Sequence, residues 1–240
     1  MRIALLGYGK MGHAIEKEAL KRGHEISARI DLNNRQDLSQ LQPQKTDIVI
    51  EFTHPESFLE NIDAVLSLGL PMVSGTTGWY DRMDQVRQFV ERKQASFLFS
   101  ANFSIGVNIL SKLNRQLAQL MNQYPEYDCF LEERHHRWKA DGPSGTAHAL
   151  AAEIVEHLDR KKQVASVELT NRPPEPEELS VGFVRSGDIV GEHTVCYSSE
   201  IDSITISHQA RNRRGFALGA VIAAEWLKNR TGFYEFKDLF

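Results

Sequence analysis

The residues richest in chemistry lie between Glu133 and Ala147. There His135 and His136 are followed by Lys139, and then by Gly142-Pro143-Ser144-Gly145-Thr146. Histidine exchanges protons near neutral pH, and lysine supplies a compact positive charge. Directly after the turn, Ala147, Leu150, Ala151 and Ile154 recur at helical spacing, so the segment opens a helix. Backbone N–H groups at a helix start favour an anion. The Gly145 and Thr146 N–H groups and the Thr146 hydroxyl are therefore suited to a carboxylate, while Lys139 can hold a charge or deliver a proton. The segment reads as a site for a small anion that gains or loses a proton. A surface loop whose histidines only solvate or cap would use the same residue types, but the density of this cluster favours a site.

The elements that must position these residues can be read around them. Asp128 to Arg134 has strand character, and side chains on a strand alternate between faces. A strand continued onward would send His135 and His136 apart, so both can serve one site only if the chain bends there. Upstream, strand and helix patterns alternate. Strands are predicted over 2–6, 24–30, 46–52, 71–74 and 95–100, and helices over 10–22, 55–68 and 80–93, with a polar stretch over 33–45. Such alternation predicts a parallel sheet with helices on both faces. After residue 105 the pattern changes. A long amphipathic helix over 105–122 is followed by the 128–134 strand and a helix over 146–158. Strands over 164–171, 179–185, 193–198 and 203–210 come next, joined by turns. Consecutive strands of this kind predict a mixed or antiparallel sheet. A last apolar helix, 216–227, is read as returning to the first domain. The expected fold class is α/β: a Rossmann-type parallel-sheet domain formed by 1–104 and 215–240, plus an α+β domain with a mixed sheet over 105–214.

Gly7-Tyr8-Gly9-Lys10-Met11-Gly12 matches G-x-G-x-x-G directly after a strand and at the opening of a helix. The glycines permit a tight turn, close approach to a pyrophosphate and close helix packing. The motif alone is weak. It gains weight from Asp31, which ends the second strand where a carboxylate would accept hydrogen bonds from a ribose. Leu32 follows where an arginine would suit a 2′-phosphate. The expected cofactor is therefore NADH in preference to NADPH, although Arg35 could still reach a phosphate. Glu51 to His54, Ser74 to Gly78 and Ser100 to Ser104 follow later strands. Ligands bind beyond the carboxyl ends of parallel strands, so these loops share the cofactor edge, although ordinary turn chemistry explains each one taken singly.

Composition bounds the rest. The chain has 240 residues and a formal net charge of −4, which gives no general reason to bind nucleic acid or membrane. Its two cysteines, Cys129 and Cys196, lack metal-type spacing, so no metal is expected and a reduced, cytoplasmic setting is the simple inference. The apolar run after Met1 is too short for a signal peptide or a membrane span.

The chain resembles the dihydrodipicolinate reductase family. That family's signature is close to E-x-H-H-x-x-K-x-D-x-P-S-G-T-A, and residues 133–147 match it. Gly142 stands where alanine is usual, and Arg134 where a smaller or apolar residue is usual. Gly75-Thr76-Thr77-Gly78 and the run from Ala101 to Asn108 match as well. The resemblance spans essentially the whole chain, which is shorter than many members between Gly12 and residue 46. It implies reduction of 4-hydroxy-tetrahydrodipicolinate to tetrahydrodipicolinate with NAD(P)H, in lysine and diaminopimelate biosynthesis. It also implies a small dicarboxylate substrate and a homotetramer built on the second domain. Carried over by position, His135 is the proton donor and acceptor, and Lys139 is the second catalytic group. His136 contacts substrate, and Gly145 and Thr146 hold a substrate carboxylate. The dinucleotide is expected to touch Gly7, Tyr8, Gly9, Lys10, Met11, Gly12, Asp31, Gly75, Thr76, Thr77, Ser100, Ala101, Asn102 and Phe103. Among Arg211, Arg213 and Arg214, Arg213 is the candidate for the second carboxylate. The segment from Arg185 to His193 resembles a family segment near tetramer contacts and is assigned no catalysis.

Two other readings are weighed against this one. Another NAD(P)-dependent oxidoreductase, such as a semialdehyde dehydrogenase, would need an activated cysteine, and both cysteines fall within predicted strands. A non-enzymatic dinucleotide sensor would keep the glycine loop without needing the His-His-x-x-Lys group.

Overall fold

The computed structural model describes residues 1–166, 171–212 and 214–240. The chain divides into two compact units, Met1–Ile105 with Arg214–Phe240, and Gly106–Arg213.

The first unit is built from the strands β1 (Arg2–Leu6), β2 (Glu25–Ile30), β3 (Ile48–Glu51), β4 (Met72–Ser74), β5 (Ser96–Phe99) and β11 (Gly232–Glu235), of which β1, β3, β4 and β5 are largely buried. They form one sheet in the order β11-β5-β4-β3-β1-β2, every pairing parallel. Alternation along the strands sends side chains to two cores. On one face Leu6, Val49, Met72 and Phe97 pack with α2 (Pro55–Ser67) and α3 (Met83–Lys93). On the other, Leu5, Ile50, Val73 and Leu98 pack with α1 (Lys10–Lys21) and α6 (Arg214–Leu227). Each fully buried side chain of this size contributes about 1.5–3 kcal/mol. Because β2 and β3 lie on opposite sides of β1, the chain reverses direction across the sheet there.

The second unit has a five-stranded sheet in the order β10-β9-β6-β8-β7. Its members are β6 (Asp128–His135), β7 (Gln163–Ala165), β8 (Glu178–Arg185), β9 (Gly191–Ser198) and β10 (Ser203–Ala210). The β7–β8 and β8–β6 pairings are parallel, and the β6–β9 and β9–β10 pairings are antiparallel. One face is covered by α4 (Ile105–Met121) and α5 (Gly145–His157), with Leu131, Val181, Val195 and Tyr197 packed against Leu150 and Ile154.

The expected α/β class and mixed second sheet are what the chain forms. Several elements differ in detail. The polar stretch after β2 carries 3-10 turns over Leu32–Gln40, capped by Asp31, whose carboxylate accepts the Leu32 N–H. The predicted 80–93 helix begins with a separate 3-10 turn, Tyr80–Arg82. Only Gln163–Ala165 of the strand expected over 164–171 is seen, and residues 167–170 lie outside the described set. Strand β11 was not anticipated, since a four-residue run after a helix leaves little pattern to read.

Candidate active site

The turn after β1 is shaped for close approach. Gly7 has φ +92°, and a Cβ there would lie 2.0 Å from the Phe52 carbonyl oxygen. Only glycine meets both conditions. Beyond this turn, at the carboxyl ends of β1 and β3, lies a pocket of about 140 Å³. Gly7, Gly9, Asp31, Arg35, Thr53 and His54 are among its lining residues. A pocket at the switch point of a parallel sheet, with a glycine turn and a carboxylate on its walls, fits a dinucleotide. Arg35 also faces it, with its guanidinium 2.8 Å from Glu60.

Glu51, wholly buried at the end of β3, braces the neighbouring loops. Its carboxyl accepts Ser74 Oγ–H at 2.6 Å, Thr76 Oγ1–H at 2.7 Å and the Thr53 hydroxyl. Burial pushes its proton affinity up against those three donors. The Thr76 oxygen also accepts the Thr53 N–H at 2.8 Å, so the ends of β3 and β4 are tied together. Of the residues expected to meet the dinucleotide, Thr76 and Phe103 are buried, with the Thr76 hydroxyl committed to Glu51 and the Phe103 ring packed in the core. Gly9, Lys10, Asp31, Thr77 and Ala101 are exposed, whereas Tyr8, Met11, Gly75, Ser100 and Asn102 are half-buried and Gly12 is buried. Ser100 Oγ donates to the Asn102 carbonyl and accepts the Asn102 N–H, which fixes that loop from within.

In the second unit, β6 places Cys129, Leu131, Glu133 and His135 on the covered face. The first two enter the core, and the last two form a polar cluster at its end. Glu133 is fully buried. Its Oε1 accepts the Ser144 N–H at 3.0 Å and Arg185 Nη2–H at 2.6 Å. Its Oε2 accepts the Ser144 hydroxyl and lies 3.4 Å from both His135 Nδ1 and His193 Nε2. Strand register makes this possible: Glu133 pairs with His193 on β9, and His135 with Arg185 on β8. Gly191 leaves room for the imidazole, since a Cβ there would lie 3.0 Å from His135 Nε2.

The electrostatics follow from these partners. Burial raises the proton affinity of Glu133, but hydrogen bonds from His193, Ser144 and Arg185 outweigh it and hold the carboxyl at about 2. His135 is driven down to about 4, chiefly by burial. Glu133 opposes that fall, while His193, Lys139 and Arg185 add to it. His135 is therefore neutral at pH 7 in this state. The cations near it are Lys139 and Arg185, and Lys139 is engaged by Asp141. That ammonium contacts both Asp141 oxygens, at 2.6 and 2.9 Å.

The strand ends between His135 and His136, so strand alternation does not govern the pair. His135 closes the strand, whereas His136 lies beyond it with its ring 6.1 Å from Trp138. Ser144 caps α5 by accepting the Ala147 N–H, leaving Gly145 and Thr146 as the first two helical residues. Sequence reading missed Arg185 and His193, the first and last residues of the segment assigned no catalysis, which both meet Glu133. Their only advance signal was their type on adjacent predicted strands. Arg214 belongs elsewhere, 2.8 Å from Glu18 on α1, and Arg211 is exposed. Arg213 lies outside the described residues.

Comparison with known proteins gives a consistent result. The family model described as dihydrodipicolinate reductase, N-terminus, matches residues 1–103, and that described as dihydrodipicolinate reductase, C-terminus, matches 106–240. A protein of Christiangramia forsetii named 4-hydroxy-tetrahydrodipicolinate reductase is 40% identical over 240 residues, covering 100% of this chain and 97% of that one. One of the same name from Archaeoglobus fulgidus is 34% identical over 262 aligned positions, covering 99% of each. Among solved structures, a dipicolinate-bound dihydrodipicolinate reductase from Paenisporosarcina sp. TG-14 matches with TM-score 0.80 at 22% identity, over 100% of this chain and 99% of that one.

Proposed function

The chain belongs to the dihydrodipicolinate reductase family, and on that premise we propose how its residues divide the work. It is a 4-hydroxy-tetrahydrodipicolinate reductase, an NAD(P)H-dependent oxidoreductase of lysine and diaminopimelate biosynthesis. The observation that carries the residue assignment is buried Glu133 lying 3.4 Å from His135 Nδ1 and holding Ser144, the cap of α5.

The nicotinamide, when bound, supplies the hydride. The second unit binds the ring dicarboxylate and handles the proton. Gly145 and Thr146 hold one carboxylate at the positive end of α5. His136 contacts the substrate, and Lys139 exchanges Asp141 for it. Lys139 and Arg185 both hold down the proton affinity of His135. A dianion that neutralises their field lifts it, so His135 takes up a proton as substrate arrives. Loss of the 4-hydroxyl as water leaves the ring a conjugated imine; hydride addition would then place negative charge on it, which Lys139 stabilises and which the proton given up by His135 neutralises. General acid help of this kind is typically worth about 10²–10⁴-fold in rate. His135→Ala and Lys139→Ala should lose mainly kcat, with small changes in cofactor binding. Near-wild-type turnover in both variants would refute the assignment.

In the first unit, the turn from Gly7 through Tyr8, Gly9, Lys10 and Met11 to Gly12 receives the pyrophosphate. The loops at Gly75–Thr77 and Ser100–Phe103 contact the dinucleotide, with Thr76 and Phe103 contributing main chain. Asp31 accepts the ribose hydroxyls, and Arg35 stays with Glu60, which favours NADH over NADPH. A higher kcat/KM with NADPH would overturn that preference. No helix among the described residues is long and apolar enough to cross a membrane, and a cytoplasmic setting suits the activity. The open face of the second sheet shows Phe130 and Val184, 41% and 43% exposed. Apolar strand residues left this open favour association of copies through that face. A homotetramer is the proposed form, measurable by light scattering and disrupted by Phe130→Glu.

A further inference from the structure

The carboxylate of Glu133 has more donors around it than anchoring a turn requires. Ser144 and Arg185 already hold both oxygens. His193 adds a third side-chain group, with Nε2 3.4 Å from Glu133 Oε2 and 3.3 Å from Ser144 Oγ. It is 4% exposed, and its Nδ1 has no hydrogen-bond partner among the described residues. A buried imidazole that uses one nitrogen must carry its proton there to satisfy the carboxylate. The His193 Nε2–H therefore forks between Glu133 and Ser144, whose own hydroxyl proton already points at Glu133.

The same carboxylate oxygen lies 3.4 Å from His135 Nδ1. At that separation His135 Nδ1 makes no hydrogen bond among the described residues, and catalytic contacts are often this long before substrate tightens them. An ionised oxygen at that place favours the His135 tautomer protonated on Nδ1. The other nitrogen, Nε2, is then the one free to exchange a proton. A carboxylate that orients an imidazole and fixes its tautomer serves the same purpose where histidine acts as a general base. What differs here is that the carboxylate is itself steered by a second histidine. The His135 and His193 rings lie edge to face with centroids 5.2 Å apart, so neither can turn without disturbing the other.

We propose that His193 is a positioning residue for the reduction: by donating to Glu133 it aims that carboxylate at His135 Nδ1 and leaves His135 Nε2 as the proton-exchanging atom. This rests on His135 as the proton donor. The charged groups around His135 come from each adjoining element: Glu133 on β6, Arg185 on β8, His193 on β9, and Lys139 in the loop before α5.

Two variants separate positioning from packing. His193→Gln keeps an N–H donor near the Nε2 position, and His193→Phe keeps the volume without the donor. His193→Phe should lower kcat about tenfold to a hundredfold, the range seen when a group that orients a functional side chain is removed. Its KM for NADH should be unchanged, and His193→Gln should recover most of kcat. In ¹⁵N-labelled protein without substrate, the His135 ring shifts should report protonation on Nδ1 in wild type and His193→Gln, and a mixture in His193→Phe. Wild-type kcat in His193→Phe overturns the proposal. If both variants fall together, an unchanged His135 tautomer overturns it and a changed one upholds it. Should His193→Phe fail to fold, His193→Asn, whose shorter amide stops short of Glu133, replaces it. His135→Ala keeps the premise separate: full turnover there refutes the proton donor, whereas loss there with full turnover in His193→Phe refutes only the role of His193.

Discussion

Replacing Glu133 by glutamine tests the polar cluster most directly, because the shape is kept and only the charge is lost. The cost can be reached by two routes. Arg185 lies 2.6 Å from Glu133, with side-chain exposures of 16% and 0%. Removing one partner of a buried ion pair typically costs about 3–5 kcal/mol, because the other charge is left without compensation. The slight exposure of Arg185 places it at the low end. Independently, the carboxyl is held at about 2 against an ordinary 4.5. At about 1.4 kcal/mol per unit, that is about 3 kcal/mol in favour of the fold. The sign is that of a depressed carboxylate: the contribution is fully present above pH 4.5 and disappears as pH falls through 2. Both routes therefore give a loss of about 3 kcal/mol at pH 7 for Glu133→Gln. Hydrogen exchange of β6 and β8 amides at pH 7 measures it within the second unit, without requiring the whole chain to unfold in one step. Adding Arg185→Met to Glu133→Gln should restore part of the loss by removing the stranded charge. A loss below about 1 kcal/mol, or a double variant no more stable than the single, would show that Glu133 is not the ionised anchor described.

Other consequences concern both units. Gly7→Ala places a methyl group 2.0 Å from the Phe52 carbonyl at φ +92°; its Kd for NADH, followed by nucleotide fluorescence, should rise at least about tenfold, since the left-handed conformation alone costs roughly 1–2 kcal/mol. Stability of the second unit should fall as pH drops from about 6.5 to 4, because the fold holds His135 at about 4 and the unfolded chain takes the proton first. His135→Gln should flatten that part of the profile, and an unchanged slope would contradict a buried neutral imidazole. Pyridine-2,6-dicarboxylate, a planar dianion, should bind with net proton uptake at pH 6 to 7, seen as a buffer-dependent calorimetric enthalpy; proton release would reverse the electrostatic argument.

Much of the fold was legible because its signals are local. The central strands of the first sheet, β1, β3, β4 and β5, are short apolar runs, and a glycine or proline breaks many of the helices. The Gly7 turn and Asp31 stand out by spacing alone, and both line one pocket. The 133–147 segment likewise shows its histidines, its lysine and its helix start within a few residues. Strand β11 was hidden because Gly232–Glu235 is defined by pairing with β5, not by its own composition. Arg185 and His193 were hidden for the same reason. Each sits in an ordinary strand pattern, and only the register of β8 and β9 on β6 turns them toward one carboxylate.

Register also explains why charge state was the hardest feature to read. Sequence places a carboxylate two residues before His135, which on a strand means the same face, and a nearby carboxylate ordinarily raises a histidine. Here Glu133 is already held by Ser144, Arg185 and His193 and lies 3.4 Å from His135 Nδ1 without charging it. Burial, together with His193, Lys139 and Arg185, outweighs what Glu133 adds. The cluster thus separates two tasks that a lone His–Glu pair would merge. Orientation comes from groups fixed on the sheet, whereas proton affinity is lowered chiefly by burial, with His193, Lys139 and Arg185 adding to it. On the proposed assignment an incoming dianion neutralises the Lys139 part of that field, so the site is neutral when empty and gains its acid as the molecule that needs the proton arrives.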